Sequence, residues 1–316
     1  AAPKPATGGR AAPAASAKSK LPPPGRMLLP VCASWWEEAA PPGPAGGAPA
    51  ADVDALRARA ELLYERELRA FAASRERRHG SDARFVEKLA AGGTMKDRIA
   101  ALTLQVHESS FHCVAPVRQL VALMGRPARE LKMKAADALG ELFLERLLPP
   151  RALVPFGRQP LAEGAGEAAL MRAYFEDELK AAYASFAREV VGACSDSVLH
   201  VKQRMVSLLH QMLSSKPEQE RLLLPALVNK FGDPERKVAS RLTHLLGQLS
   251  LSHPAMKPVI LAEVQRFVLR PRVGERAQYY ALVYLNQLVL ARGQPEVAHT
   301  LLLIYLSLFA ARASSG

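Results

Sequence analysis

The residues of this chain best suited to chemistry are two histidines and a carboxylate that lie close together. His107, Glu108 and His112 carry the imidazole and carboxylate groups that bind zinc in many proteins. Histidines four residues apart can bind one metal ion from the same face of a helix. His107 and His112 are five apart, so they diverge by about 140° around a helix, and Ser109-Ser110 predicts that the helix ends between them. The spacing therefore disfavours a metal site.

A second group of reactive side chains is the acidic run Glu176-Asp177-Glu178. Paired carboxylates can act as an acid and a base, but three consecutive residues of a helix point in different directions. We interpret the run as the start of a solvated or partner-facing helix, with Tyr174 and Glu176 as candidate contacts for a protein partner. The sequence also lacks the GxxxxGK[ST] loop that holds nucleotide phosphates. We therefore predict a protein that is not an enzyme and has no cofactor, metal or small-molecule substrate.

Adjacent aromatic residues occur at two places in the chain. Tyr279 and Tyr280 could stack on nucleic-acid bases, but helical register places Tyr284 in a buried stripe and Tyr280 beside it. Packing between helices is therefore the stronger interpretation. Trp35 and Trp36 are expected to dock onto the folded body or onto a partner. All four adjacent rings are kept as candidate partner contacts.

Basic residues recur along one flank of a predicted helix, where Lys237, Arg241 and His244 are spaced i, i+4, i+7. Stacking of repeats would align Arg276, Lys237 and His200 in a row that could follow the phosphates of a nucleic acid. Alternatively, these cations bridge to the turn aspartate of a neighbouring repeat and hold the stack together. The sequence leaves both interpretations open. The candidate RNA contacts are Lys230, Arg236, Lys237, Arg241 and Arg276.

A sequence repeat predicts the elements that position these side chains. The stretch from Asp196 to Leu249 contains the same pattern twice, thirty-seven residues apart: an acidic turn followed by a helix with an apolar stripe. The paired positions are Asp196 with Asp233, Val201 with Val238, Arg204 with Arg241, Met205 with Leu242, Leu208 with Leu245, Leu209 with Leu246, Gln211 with Gln248 and Met212 with Leu249. The pattern extends back to Ala135 and forward to Leu288. A helical period of this length predicts an all-α, HEAT/armadillo-like α-solenoid of stacked antiparallel helix pairs.

Composition limits the possible partners. The chain has 316 residues and a net charge of +12, which favours a polyanion, with nucleic acid first and an anionic membrane second. The apolar run from 301 to 309 is shorter than the roughly 20 residues that a membrane span needs, and no secretory signal is evident. We therefore expect no membrane among the partners, with DNA as a further candidate besides RNA and protein. The three cysteines are widely separated, as expected in a reducing compartment. The chain has no initiator methionine, so we expect a piece of a longer protein.

Changes in composition, together with glycine, proline and helix-capping residues, divide the chain into three predicted regions. Residues 1–51 form a disordered Ala/Pro/Gly-rich tail that carries the tryptophan pair. Residues 52–93 form charged leading helices, broken at Gly80-Ser81-Asp82. Residues 94–312 form the helical-repeat domain, which begins at the predicted cap Thr94 and contains a loop at 149–166. Within it, Gly232-Asp233-Pro234 ends one helix, and we expect Asp233 to cap the next helix with Pro234 in its first position.

Seven ordered segments between residues 84 and 309 are similar to the CCAAT-binding-factor domain family, and the tryptophan pair resembles it weakly. They are KDRIAALTL at 96–104, YFEDELK at 174–180, SSKPEQE at 214–220, LVNKFGDPERKVAS at 227–240, HPAMK at 253–257, RAQYYA at 276–281 and LNQ at 285–287. The resemblance implies a nuclear, nucleolar, non-enzymatic assembly factor for the large (60S) ribosomal subunit. It also implies binding to pre-rRNA and pre-60S particles and a heterodimer with a second nucleolar-complex protein.

The alternative interpretation is a DNA-binding transcription factor of the CCAAT-binding type, the activity after which the family is named. The sequence disfavours it, because no zinc-finger, basic-leucine-zipper or helix-turn-helix signature supplies contacts to base edges. A transport-receptor solenoid is a further possibility from architecture alone, since a fold does not determine a function.

Overall fold

The computed structural model describes residues 26–38, 52–161, 164–290 and 293–313. The predicted disordered tail falls mostly on residues 1–25 and 39–51, which lie outside the described residues. The helices are α1 (Trp35–Glu38), α2 (Val53–Gly92), α3 (Met95–Glu108), α4 (Val114–Met124), α5 (Arg129–Glu141), α6 (Glu167–Ala193), α7 (Leu199–Ser215), α8 (Glu220–Val228), α9 (Arg236–Ser252), α10 (Lys257–Val268), α11 (Glu275–Asn286) and α12 (Pro295–Ala313). A π-helix, Leu142–Leu147, continues α5, and 3-10 helices lie at Ser110–His112, Phe156–Arg158, Asn229–Gly232 and Pro254–Met256.

The helices pack in two parallel rows, which confirms the predicted all-α solenoid. Helices α5, α7, α9 and α11 form one row, and α4, α6, α8, α10 and α12 form the other. The chain alternates between the rows, so that each repeat contacts mainly its neighbours. Helix α2 packs along α3 and α6 at the start of the array. None of the described helices combines the length and the apolarity that a membrane crossing requires.

The apolar stripes predicted from the repeat form the core between the rows. In α7 and α9, Leu209 and Leu246 are fully buried, as are their counterparts Phe143 and Leu285 in the flanking repeats. Burial of one such side chain contributes about 1.5–3 kcal/mol, so the repeated stripe accounts for much of the stability of the stack. Tyr284 is also buried, which confirms the prediction that it belongs to the core.

The predicted helix break at Gly80-Ser81-Asp82 is wrong. Helix α2 continues through these residues and ends at Gly92. A glycine inside a helix costs only about 1 kcal/mol relative to alanine, which packing of the same helix can offset. Ala70 before that turn of the helix and Ala83 after it are buried, and α2 packs along α3. Thr94 then caps α3 as predicted, in a reciprocal pair of hydrogen bonds with Asp97.

The predicted role of Asp233 and Pro234 as cap and first residue of a helix is also wrong. Helix α9 begins at Arg236, two residues later than expected, with Glu235 at its N-cap. The Asp233 carboxylate instead accepts a hydrogen bond from the Glu235 amide at 3.0 Å. In the preceding repeat, Asp196 accepts from the Val198 amide at 2.8 Å in the same way. The repeated aspartate therefore shapes the turn before the helix rather than the helix itself.

The N-terminal segment 26–38 docks onto the array through Trp35. The Trp35 side chain is 1% exposed, and its Nε1 donates a hydrogen bond to the Leu147 carbonyl at 2.8 Å. Its ring packs edge-on against Phe111 and Phe175. The sequence predicts that the tryptophan pair docks onto the folded body or onto a partner. The structure shows that Trp35 docks onto the folded body.

A buried carboxylate fastens the same segment to α2. Glu67 accepts hydrogen bonds from the Leu28 amide at 2.9 Å and the Leu29 amide at 2.8 Å, and its Oε1 lies 3.6 Å from His112 Nε2. Burial alone would raise the pKa of Glu67. The interactions with His112 and with the Leu28 and Leu29 amides outweigh that effect and lower the pKa below its ordinary value of 4.5.

Acid should therefore release segment 26–38. Because the folded-state pKa of Glu67 is depressed, the stability that it contributes is present above pH 4.5 and is lost as the pH falls through the folded-state pKa. The chain has two tryptophans, Trp35 and Trp36, so tryptophan fluorescence, excited selectively over tyrosine, reports on this segment alone. We expect a red shift of emission below pH 4.5. In the Glu67→Gln control this acid transition should be absent, and an identical transition in the control would contradict the assignment.

Candidate nucleic-acid interface

Four turns stack along one edge of the solenoid, which we call the turn edge. It consists of residues 125–128, 194–198, 229–235 and 269–274, which lead from the second row of helices to the first. Side chains in or beside one turn reach the next. The contacts are Arg129 Nε to Asp196 Oδ1 at 2.9 Å, Lys230 Nζ to Ser195 Oγ at 3.1 Å, Arg270 to Asn229 Oδ1 at 3.2 Å and Arg276 to the Asp233 carbonyl at 3.1 Å. These hydrogen bonds place the basic residues of successive repeats side by side.

A buried ion pair lies beneath the turn edge. Lys202 Nζ lies 2.9 Å from Asp233 Oδ1, and the two side chains are 7% and 4% exposed. Lys230 Nζ lies 3.6 Å from the other carboxylate oxygen of Asp233. Ion pairs in such a setting are weakly screened by water, so removal of one partner strands a buried charge. Asp233 therefore connects α7, the 229–235 turn and α11.

The five candidate RNA contacts divide into two groups in the structure. Lys230 and Arg276 take part in the ties between turns, as the second interpretation of the sequence proposed, although Arg276 remains exposed. Arg236, Lys237 and Arg241 are exposed on α9 and make no hydrogen bond or ion pair with the described residues. We call these three residues the free basic face. The bridging interpretation therefore holds for Lys230 and Arg276, whereas the phosphate-contact interpretation stays a prediction for the free basic face.

The residues of α7 that align with Lys237 and Arg241 also divide into one unpaired and one paired side chain. His200 is exposed without a partner among the residues that the structure describes. Arg204, which corresponds to Arg241 in the repeat, forms an ion pair with Asp137 of the preceding repeat at 2.7 Å. Arg241 has no such acceptor. Within this aligned row, the unpaired arginine and lysine side chains of the described residues thus lie on α9.

The interpretation of the acidic run as solvated or partner-facing is wrong. Glu176 is 5% exposed, forms an ion pair with Arg151, and accepts a hydrogen bond from the Val154 amide at 2.8 Å. Tyr174 is 8% exposed and packs against Tyr64. Neither Glu176 nor Tyr174 is therefore available as a partner contact on the described surface. The reason is tertiary, because the segment that follows Leu148 folds back over this part of α6.

Three carboxylates hold that segment in place through its backbone amides. Glu176 binds Val154, Asp177 accepts from the Phe156 amide at 3.2 Å, and Glu218 accepts from the Leu153 amide at 2.8 Å. Lys180 Nζ joins Glu218 at 2.7 Å and also donates to the Leu153 carbonyl. The acidic residues thus serve as acceptors for a loop that has no helical partner for its own amides.

The remaining aromatic candidates lie in different settings. Trp35 is buried in the core, so its assignment as a partner contact is wrong. Trp36 is partly exposed, and Lys216 Nζ lies 5.8 Å from the centroid of its ring. Tyr279 is 61% exposed, and Tyr280 is half-buried beside it with their ring centroids 5.6 Å apart. Only Trp36 and the two tyrosines therefore remain as surface candidates.

The histidine group does not form a metal site. His112 is buried, its ring stacks on Phe71, and its Nδ1 lies 2.7 Å from Ser109 Oγ. Its other nitrogen faces Glu67. Across the described ranges, no three histidine, cysteine or carboxylate side chains converge as metal ligands. His112 acts instead in the docking of segment 26–38.

Sequence comparison found curated relatives, whereas no family model matches the chain. Human CCAAT/enhancer-binding protein zeta is 32% identical over 261 residues, which cover 79% of this chain and 25% of that protein. Ribosome biogenesis protein NOC1 of Chaetomium thermophilum is 35% identical over 288 residues, covering 84% of this chain and 27% of that protein. Nucleolar complex protein 1 of Drosophila melanogaster is 31% identical over 252 residues, covering 76% and 21%.

The fold and the turn edge define the class of the chain, an α-solenoid helical-repeat protein with a net positive charge. The relatives make the assignment more specific: the chain belongs to the CCAAT-binding-factor family. It spans about a quarter of the length of the curated relatives it matches.

Proposed function

We propose that this chain is the helical-repeat scaffold of a nucleolar factor that assembles the large (60S) ribosomal subunit. The observation that carries the proposal is the similarity, along most of the chain, to proteins named ribosome biogenesis protein NOC1 and nucleolar complex protein 1. In this proposal the scaffold acts in the nucleus and nucleolus, holds pre-rRNA within pre-60S particles, and forms a heterodimer with a second nucleolar-complex protein. It acts by binding and not by catalysis.

The proposed RNA contact is the free basic face of α9. Arg236, Lys237 and Arg241 have no carboxylate partner among the described residues, so their charges are available to phosphates. Arg276 lies exposed at the adjoining turn and extends the surface towards α11. The Lys230 side chain is 12% exposed. It donates a hydrogen bond to Ser195 and forms an ion pair with Asp233, so we assign it to the ties between repeats.

Reversal of the free basic face should weaken RNA binding without unfolding the protein. We expect the variant Arg236→Glu/Lys237→Glu/Arg241→Glu to bind a transcript of the large-subunit rRNA precursor about 100-fold more weakly at physiological salt. The slope of log affinity against log salt concentration should decrease in magnitude by about 2, because three phosphate contacts are lost. Filter binding across a salt series measures both quantities.

A matched control carries the same change in charge at another place. Arg59, Lys88 and Arg221 are also exposed and unpaired within the described part of the chain, on α2 and α8. Their reversal to glutamate should change the affinity and the salt slope much less. Equal losses in the two variants would show that only net charge matters and would refute the assignment to α9. Early melting of the first variant alone would show that its residues are structural ties.

The alternative function is binding of duplex DNA, which the name of the human relative, CCAAT/enhancer-binding protein zeta, suggests. Phosphate contacts alone do not distinguish DNA from RNA, so the same assay should include a duplex with a CCAAT element and a scrambled duplex. Our proposal expects no preference between the two duplexes and tighter binding of the rRNA precursor. A preference for the CCAAT duplex over the RNA would favour the alternative.

A further inference from the structure

Two adjoining cavities form a groove between α9 and α11, next to the free basic face. Their volumes are about 400 and 230 Å³. Thr243, His244 and Gln287 line both cavities, so the two adjoin at these residues. The larger cavity is bounded on the α11 side by Tyr279 and Tyr280. No contact described above accounts for this groove.

Three polar side chains of the groove, Thr243, His244 and Gln287, lack hydrogen-bond partners among the described residues. The Thr243 side chain is 7% exposed, and its hydroxyl is buried without any hydrogen-bond partner. A buried unpaired hydroxyl is costly, so such groups usually meet a ligand or an ordered water. The side chains of His244 and Gln287 are exposed and form no hydrogen bond with the described residues. Three hydrogen-bonding groups therefore converge on one space.

The α11 wall, across from Thr243 and His244, is aromatic. Tyr279 presents most of its ring to solvent, and Tyr280 packs edge-on against it. A fixed tyrosine at the mouth of a groove is a stacking platform for a planar ring. The cations lie on the same stripe of α9: Lys237 and Arg241 share the helical face of Ser240 and His244, at spacings of three and four residues.

We infer that the α9–α11 groove binds one unpaired nucleotide of a single-stranded RNA. Its base stacks on Tyr279, its polar edge meets Thr243 and Gln287, and the adjacent phosphates lie on Lys237 and Arg241. This inference rests on the proposed RNA-binding function and adds to it the kind of RNA that is bound. A base inside a regular duplex is stacked on both faces and paired along its Watson–Crick edge, so it cannot enter such a groove.

The test compares one single-stranded and one double-stranded probe with two variants. The probes are a twelve-nucleotide uridine oligomer and a fully paired RNA hairpin, and the affinity is measured by fluorescence anisotropy. Because Tyr279 is mostly exposed, Tyr279→Ala should leave the fold intact, and it should weaken binding of the oligomer about 10-fold or more. Binding of the hairpin should not change, and Tyr279→Phe should retain the wild-type affinity.

The second variant is Thr243→Val, which keeps the shape of the side chain and removes only its hydroxyl. That hydroxyl makes no hydrogen bond with the residues that the structure describes, so the melting temperature should be unchanged or higher. Binding of oligomers should weaken by a factor that differs among uridine, cytidine and adenosine, because the lost group contacts the base edge. A role in packing alone would lower the melting temperature and would affect all oligomers equally.

The outcomes separate this inference from the proposed function. If reversal of the free basic face abolishes binding of both probes while Tyr279→Ala changes neither, the RNA function stands and the nucleotide groove is refuted. If the wild-type protein binds neither probe, both proposals fail. If Tyr279→Ala leaves RNA binding intact but disrupts a complex with a protein partner, the groove is a protein interface and the inference is overturned.

Discussion

Replacement of Asp233 by alanine should lower the free energy of unfolding by about 3–5 kcal/mol. The carboxylate lies 2.9 Å from Lys202 Nζ in a buried pair and also accepts the Glu235 amide. Its removal leaves the Lys202 ammonium buried without a partner and the amide before α9 unsatisfied. Urea denaturation followed by circular dichroism measures the loss.

Two comparisons test the cause of that loss. The Asp137–Arg204 pair also joins neighbouring repeats but is largely exposed, so Asp137→Ala should cost less than about 1 kcal/mol. Addition of Lys202→Met to Asp233→Ala removes the stranded charge and should recover a large part of the stability. A loss of less than about 1 kcal/mol for Asp233→Ala would mean that the buried pair does not hold the repeats together.

Replacement of Trp35 by alanine should cost about 3–5 kcal/mol and should free segment 26–38 from the array. The change empties a site between Phe111 and Phe175 and leaves the Leu147 carbonyl without its donor. Urea denaturation gives the energy. Hydrogen exchange of the Leu28 and Leu29 amides, which Glu67 protects in the wild type, shows whether the segment has been released.

Trp36 supplies the matched control, since it is adjacent in sequence and partly exposed. Trp36→Ala should cost much less and should leave the exchange of both amides slow. If Trp35→Ala unfolded like the wild type and kept those amides protected, the docking of the segment would not depend on its anchor.

The architecture was predictable because the repeat carries its own register. Positions such as Val201 and Val238 occupy equivalent places in successive helices, and burial of one predicts burial of the other. Caps with a local signal were predictable too, as at Thr94, where the partner Asp97 is three residues away. The break at Gly80 was not, because a weak local preference for ending the helix is opposed by packing of α2 along α3 and α6, a tertiary effect that the local pattern does not contain.

The site was predictable only in part, since identical residue types have different roles in it. Arg241 is free and its counterpart Arg204 is paired because only Arg204 has an aspartate within reach, in the preceding repeat. Such differences depend on contacts between repeats that the sequence does not specify. Glu176 was misassigned for the same reason, because its partners come from the loop that covers it. The unpaired Thr243 hydroxyl has no signal in the sequence at all.

The central claim is that the array holds precursor rRNA of the large subunit through the free basic face of α9. The most direct test is crosslinking of the tagged full-length protein in cells, followed by sequencing of the bound nucleic acid, for the wild type and for the Arg236→Glu/Lys237→Glu/Arg241→Glu variant at equal abundance. We predict that reads map to the large-subunit rRNA precursor in the wild type and that the variant loses most of them. Enrichment of promoter DNA without precursor rRNA, or equal recovery of rRNA by the variant, would contradict this claim.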